Sequence, residues 1–304
     1  MEKIILHIGY NKTGTTAIQN SFFYNRKSLK KNGLFYPNKC RGKRKSPAHH
    51  ALPESLLFQI GKPLPHFVNK KIYIKYQVDH YWNVLKQEVS KSNCPFAFIS
   101  SEAFSRLRGH PEQMEFIKNQ LNSYDIKVLV YLRNQPDYFA SAYNQAVKRG
   151  YETRTVNELM QFGWMNIDYF IELEQWASVF GPENIIVRIF DKKKMQGGVV
   201  ADILKVLEKE RIVLDTTHWK SRFFSFKWNI RLPDNMVEKK RQLNASLRLP
   251  GFLDNAVNIW LHWKGKYLPE TELITKVERN LIIQRNYQSN KKLGEKYLDG
   301  VFPF

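Results

Sequence analysis

Cysteine is almost absent: two residues in 304, Cys40 and Cys94. That is too few for a disulfide framework, although one bridge is possible, and it suits a reducing compartment. No stretch approaches the ~20 apolar residues that a spanning helix needs. The run Ile4 to Ile8 already reads as a core strand with only Met1, Glu2 and Lys3 ahead of it. Neither a signal peptide nor a membrane span is therefore expected, and the expected location is cytoplasmic. Internal repeats and low-complexity tracts are missing. So are Cys/His clusters and any His-Glu-x-x-His pattern, so no metal site is expected.

Acidic residues are scarce as well. There are 28 Asp and Glu against 48 Lys and Arg, a net charge of +20. Such an excess implies an anionic partner: a nucleic acid, a membrane surface, an acidic glycan or a multiply phosphorylated nucleotide. Charge alone does not choose among them, and lysine runs such as Lys192 to Lys194 also serve as solvated surface. The apolar share of 43% and aromatic share of 14% belong to a packed globular chain. A chain of this length buries roughly three quarters of its unfolded surface.

Apolar runs at Ile4 to Ile8, Phe96 to Ser100, Ile126 to Leu132 and Ile185 to Phe190 read as buried strands. Between them lie helical stretches: Thr15 to Lys31 ending before Gly33, Tyr81 to Val89, one opened by Pro111, one from Pro136 to Gly150, and Asp168 to Phe180. This alternation predicts an α/β fold, a parallel central sheet of about four to five strands flanked by helices. From Gly198 the chain reads as mainly helical, ending in Leu273 to Tyr297. We expect one domain over 1–304, with 33–80 as an irregular, proline-rich basic lobe facing substrate and 198–304 as a helical C-terminal part.

In parallel sheets ligands sit beyond the carboxyl ends of the strands, which directs attention to the loops after Ile8, Ser100 and Leu132. The first reads Gly9-Tyr10-Asn11-Lys12-Thr13-Gly14-Thr15-Thr16. Small residues there let backbone N–H groups approach an anion at a helix N-terminus, and Lys12 adds a full charge. The Walker A pattern is not met, because Lys12 precedes Gly14 and no Gly-Lys-Ser/Thr follows.

Ile8 to Thr16 closely resembles the 5′-phosphosulfate loop of sulfotransferases that use 3′-phosphoadenosine 5′-phosphosulfate (PAPS). The segment Leu129 to Pro136 with Tyr138-Phe139-Ala140-Ser141 resembles their 3′-phosphate segment. The resemblance covers about the first two hundred residues, and near the end Ser289-Asn290 with Leu293 and Tyr297 resembles the last helix of bacterial sugar-modifying members. It implies a P-loop nucleoside-triphosphate-hydrolase-like fold in which Asn11, Lys12, Thr13, Gly14, Thr15 and Thr16 hold the 5′-phosphate and Arg133 and Ser141 the 3′-phosphate. It further implies that Lys12 neutralises the bridging oxygen, that the product is adenosine 3′,5′-bisphosphate, and that no metal is required. A saccharide or another hydroxyl compound, neutral or anionic, is the implied acceptor; nucleic acid is not an implied partner.

Two bases compete. Ile99-Ser100-Ser101-Glu102-Ala103-Phe104 resembles the segment carrying the glutamate base of heparan-type members, which usually have Lys where this chain has Ala103. His49 and His50 are the rival, in a stretch from Ser46 to Leu52 that resembles a histidine-bearing segment of bacterial relatives. The Gly-rich third nucleotide loop of animal cytosolic members has no clear match; Lys220 through Asn229 occupies a comparable place. Two other readings remain open: a P-loop kinase or NTPase, and a non-enzymatic binder of an anionic polymer.

Overall fold

The computed structural model describes residues 2–41, 46–62, 78–163, 167–220, 231–247 and 249–304. Two compact units divide the chain. The first comprises Met1–Leu132, Tyr169–Arg222 and Leu293–Val301 and holds the whole sheet. The second comprises Arg133–Asp168, Phe223–Lys292 and Phe302–Phe304.

Five strands form the sheet: β1 (Lys3–His7), β2 (Leu34–Phe35), β3 (Phe96–Ser100), β4 (Asp125–Leu132) and β5 (Ile185–Ile189). All pairings are parallel and the order is β2-β3-β1-β4-β5. The expected α/β architecture is thus present, with five strands. Connections out of β1 and β4 leave in opposite directions, so the crevice at their carboxyl ends is the topological switch point. β1 is central and buried on both faces, and Ile4, Ile5 and Leu6 are wholly excluded from solvent. This explains a continuous apolar run where a half-exposed strand would alternate.

Around the sheet in this unit are α1 (Thr15–Tyr24), α2 (Arg26–Lys31), α3 (Ala51–Gln59), α4 (Val78–Ser90), α5 (Pro111–Gln120), α8 (Tyr169–Phe180) and α9 (Gly198–Lys209). One core cluster joins Ile5, Phe98, Leu129 and Tyr131 of the sheet to Ile18 and Phe22 of α1 and Ile203 and Leu207 of α9. Two expectations need correction here. The stretch Thr15 to Lys31 is not one helix: Asn25 interrupts it, its side-chain amide donating to Ser21 O at 2.9 Å while its carbonyl oxygen accepts from Lys220 N at 2.8 Å. Asn competes for backbone partners in this way because its short amide reaches them. Nor is the segment 33–80 irregular throughout, since β2 and α3 lie within it. Of its basic run only Arg41 is described; residues 42–45 and Pro63 and Pro65 lie outside the described residues. Cys40 and Cys94 are both free and buried.

The second unit is helical: α6 (Gln135–Lys148), α7 (Val156–Gln161), α10 (Asp234–Ser246), α11 (Gly251–Gly265) and the larger part of α12 (Lys276–Tyr297). Its core gathers Phe139, Tyr143, Leu159, Met236, Leu261 and Ile282. Among the described residues no helix is long and apolar enough to cross a membrane.

Candidate active site

The three strands at the sheet centre are tied together where their carboxyl ends open. Ile8 N donates to Leu129 O at 3.0 Å and Ser101 N to His7 O at 3.1 Å. From there Gly9 to Gly14 turn into α1 through three left-handed residues, Gly9 (φ 27°), Lys12 (φ 69°) and Gly14 (φ 81°). A methyl on Gly9 would stand 2.6 Å from Thr15 Cγ2, and one on Gly14 would meet Phe190 and Val199 at 2.9 Å. Phe190, just after β5, and Val199 of α9 thus stand against the loop at Gly14. The Thr13 hydroxyl is buried and donates to Tyr10 O at 2.7 Å, which ties the loop to itself. The first amides of α1 receive no side-chain cap from Gly14. Asn11 and Thr16 are exposed, Lys12 half-buried and Thr15 buried.

Beside this loop, in register with β1 (His7 opposite Ser100), β3 delivers Ser100, Ser101 and Glu102. Gln19, one turn into α1 and almost wholly buried, donates through Nε2 to Glu102 Oε2 at 3.0 Å and to Ser100 Oγ at 3.2 Å. The other carboxylate oxygen of Glu102 lies 3.9 Å from His50 Nε2. His50 Nδ1 in turn pairs with Ser101 Oγ at 2.8 Å. Carboxylate and imidazole are both about one-quarter exposed, at 24% and 25%. The two residues set against each other by the sequence thus stand side by side.

His49 is different. It is wholly buried, its Nδ1 accepts from Ser100 N at 3.0 Å, and its Nε2 donates to Pro37 O at 2.9 Å. Burial holds its pKa down at about 4. His7, also wholly buried, is held down to about 3 by the same cause. Ser100 Oγ, having accepted from Gln19, has its own proton to give to His7 Nδ1 at 2.8 Å. The His7 proton is then on Nε2, which has no hydrogen-bond partner among the described residues and lies beneath Gly9.

These two imidazoles bear on acid stability. Each folded-state value lies below the unfolded value near 6.5, so the unfolded chain binds more protons between the two. Stability contributed by the neutral rings is complete above pH ~6.5 and is lost as pH falls towards about 4 for His49 and about 3 for His7. The expected loss is a little over ~1 kcal/mol per pH unit for each ring. Denaturant titrations of wild type and His49→Asn across that range check this: the variant should be less stable at neutral pH and have the shallower acid slope.

Tyr10 points from the loop to Glu172 of α8, to which its hydroxyl donates, and Arg108 Nη1 meets the same carboxylate at 2.7 Å. Burial first, and then the Glu172 charge, raises the Tyr10 pKa well above its ordinary value. Neither Gln19, the Ser100–Ser101 pair nor Glu172 stood out in the sequence. The one available signal was Gln19 standing four residues after Thr15, hence on the same helical face.

In the second unit, Arg133 follows the last residue of β4 and Ser141 lies half-exposed within α6. Arg133 lines a cleft of about 470 Å³ together with Arg231 and Arg279, whose charges are met by Asp234 at 2.7 Å and Asp137 at 2.9 Å. Ser141 does not line it. Asn290 exchanges two hydrogen bonds with the buried Gln135, at 2.6 and 3.2 Å, and Ser289 Oγ donates to Asp168 Oδ1 at 2.6 Å. These bonds fix the first residue of α6, and Asp168, to α12 inside this unit. The segment 221–230, including Phe223, Phe224, Phe226 and Trp228, lies outside the described residues. Among the described residues no group of three or more His, Cys, Asp or Glu is placed to hold a metal ion.

A five-stranded parallel α/β unit with a glycine-bounded loop between its central strand and α1 is the class that fold and site define. No protein-family model matches the chain. A curated protein of Archaeoglobus fulgidus, itself uncharacterized, is 30% identical over 204 residues, which is 66% of this chain and 53% of that protein. The chain therefore spans about half the length of the curated relative it matches. Among solved structures, a sulfotransferase from Alicyclobacillus acidocaldarius is similar at 16% identity and a TM-score of 0.46, over 82% of this chain and 97% of that one.

Proposed function

We propose that the chain transfers a sulfuryl group from PAPS to an acceptor hydroxyl and releases adenosine 3′,5′-bisphosphate. The observation that carries the reading is the pairing, across adjacent strands, of the Gly9–Thr16 anion loop with the Glu102–His50 carboxylate–imidazole pair. In this reading the amides of Thr13 to Thr16 hold the 5′-phosphate. The acceptor oxygen attacks sulfur in line, its proton passes to Glu102, and the sulfur–oxygen bond to the 5′-phosphate breaks. Lys12 faces the negative charge that gathers on the departing oxygen, as a preorganised cation should. Glu102 is assigned the proton because Gln19 fixes one oxygen and His50 faces the other, so the carboxylate has one orientation. His49 is given no proton to move, because both its nitrogens are engaged. Arg133 and Ser141 are assigned the 3′-phosphate and a saccharide the acceptor role, as the sequence resemblance implies.

A P-loop kinase would use ATP with magnesium and a lysine placed after the last loop glycine, where this chain has Thr15. Melting curves with ligand separate the two. Adenosine 3′,5′-bisphosphate at a hundred times its dissociation constant is expected to add about 2.7 kcal/mol to the folded state. ATP with magnesium should add clearly less; an equal or larger shift would favour the kinase. Arg133→Ala should weaken the bisphosphate by about 1.5–3 kcal/mol through loss of a charge-assisted bond, and normal binding by that variant would remove Arg133 from the nucleotide site.

A further inference from the structure

Helix α11 (Gly251–Gly265) is turned the wrong way for a helix on a water-facing surface. Two of its polar residues, Asp254 and Asn258, point inward. Asp254, its one acid, takes a 2.6 Å bond from the buried Lys240, and Asn258 donates to Lys148 O at 3.0 Å. Leu261 is buried next to these, and a methyl on Gly265 would collide with Pro233 at 2.6 Å. The opposite face holds Phe252 (74% exposed), Ile259 (55%), Trp260 (55%) and Trp263 (56%), with Tyr267 (81%) just beyond the helix end. At 3.6 residues per turn, Phe252, Ala256, Ile259, Trp260 and Trp263 fall within an arc of about 100°. Lys264 and Lys266 stand at the two edges of that arc, their Nζ atoms 4.7 Å and 4.8 Å from the Trp260 and Trp263 ring centroids.

From this stripe we propose that the α11 face docks on an anionic lipid surface. Indole and phenyl rings flanked by lysines suit the boundary between headgroups and acyl chains, where rings enter the apolar side and ammonium groups stay with phosphate. No acid interrupts the stripe, and the chain as a whole carries +20. A second copy is disfavoured by that same charge, because pairing would bring two chains of +20 together. This inference is independent of the transferase reading.

Flotation of the full chain with phosphatidylcholine vesicles, with and without phosphatidylserine, tests it. The chain should float with the anionic vesicles at low salt and largely release at high salt. Trp260→Ser with Trp263→Ser should weaken binding on the order of 100-fold, with an unchanged melting curve because both side chains are exposed. Lys264→Gln and Lys266→Gln should each cost roughly five-fold at low salt. Absence of flotation by the wild-type chain overturns the proposal, as does flotation that the tryptophan substitutions leave intact. Self-association that those substitutions disperse, without lipid binding, would give the face to a second copy and also overturn it.

Discussion

Glu102→Gln is expected to bind adenosine 3′,5′-bisphosphate like wild type and to transfer sulfuryl groups ~10²–10⁴-fold more slowly. The substitution keeps size and shape, and its carbonyl oxygen can still accept from Gln19 Nε2, the 3.0 Å bond that orients the side chain. What it removes is the ability to take a proton. His50, 3.9 Å from the carboxylate, then becomes informative. His50→Ala should slow transfer less than Glu102→Gln, because a lone carboxylate still accepts a proton. The double variant should be no slower than Glu102→Gln, as residues acting as a unit are not additive. Mass-shift measurement of transfer, alongside a melting curve for each variant, decides the matter. Full turnover by Glu102→Gln with a loss of about 0.3–1 kcal/mol in stability would reduce Glu102 to a carboxylate favouring a helical turn. If His50→Ala alone is silent, the imidazole is the base.

The second large effect is expected at Lys12. Lys12→Ala should lose ~10²–10³ in turnover, the usual consequence of removing one preorganised stabiliser of developing charge. Nucleotide binding should weaken by a smaller factor, since the same ammonium also meets ground-state phosphate. Lys12 has a left-handed backbone, φ 69°, that a non-glycine side chain adopts at a cost. Lys12→Gly relieves that cost, so it should melt no lower than wild type while being as slow as Lys12→Ala. Strain retained at a residue of this kind is intelligible if the side chain does chemistry. Wild-type turnover in either variant would take Lys12 out of the mechanism.

The four long strands were legible because each is a short apolar run bounded by turn residues, and a central parallel strand leaves no other pattern. The loop was legible for the same local reason: two glycines and a threonine pair at a strand–helix junction. β2 was not, because two residues inside a proline-rich stretch carry no period. At Asn25, where the helix breaks, one partner is Lys220, far away in the chain. The carboxylate–imidazole pair was half legible. Glu102 and the histidines were each visible, but that His50 faces Glu102 while His49 is locked between Pro37 and Ser100 follows from where α3 begins against β3. Gln19 was marked only by its place four residues after Thr15 on the same helical face, which does not set a buried glutamine apart from its neighbours.

The unit that holds the sheet is made of three separate stretches, the last being Leu293–Val301. Leu293 is wholly buried in it, and Lys296 and Tyr297 close on Glu174 at 2.7 and 2.5 Å. During synthesis, β1 to β5 have all left the ribosome some hundred residues before this last stretch arrives. Glu174 of α8 must therefore wait for the segment whose Lys296 and Tyr297 close on it. Such a chain has long-range closure built into its order of manufacture, which slows folding and lengthens the interval in which apolar surface is open to chaperones or to aggregation. Expression yield should for that reason depend more on temperature and translation rate than the finished fold's burial suggests.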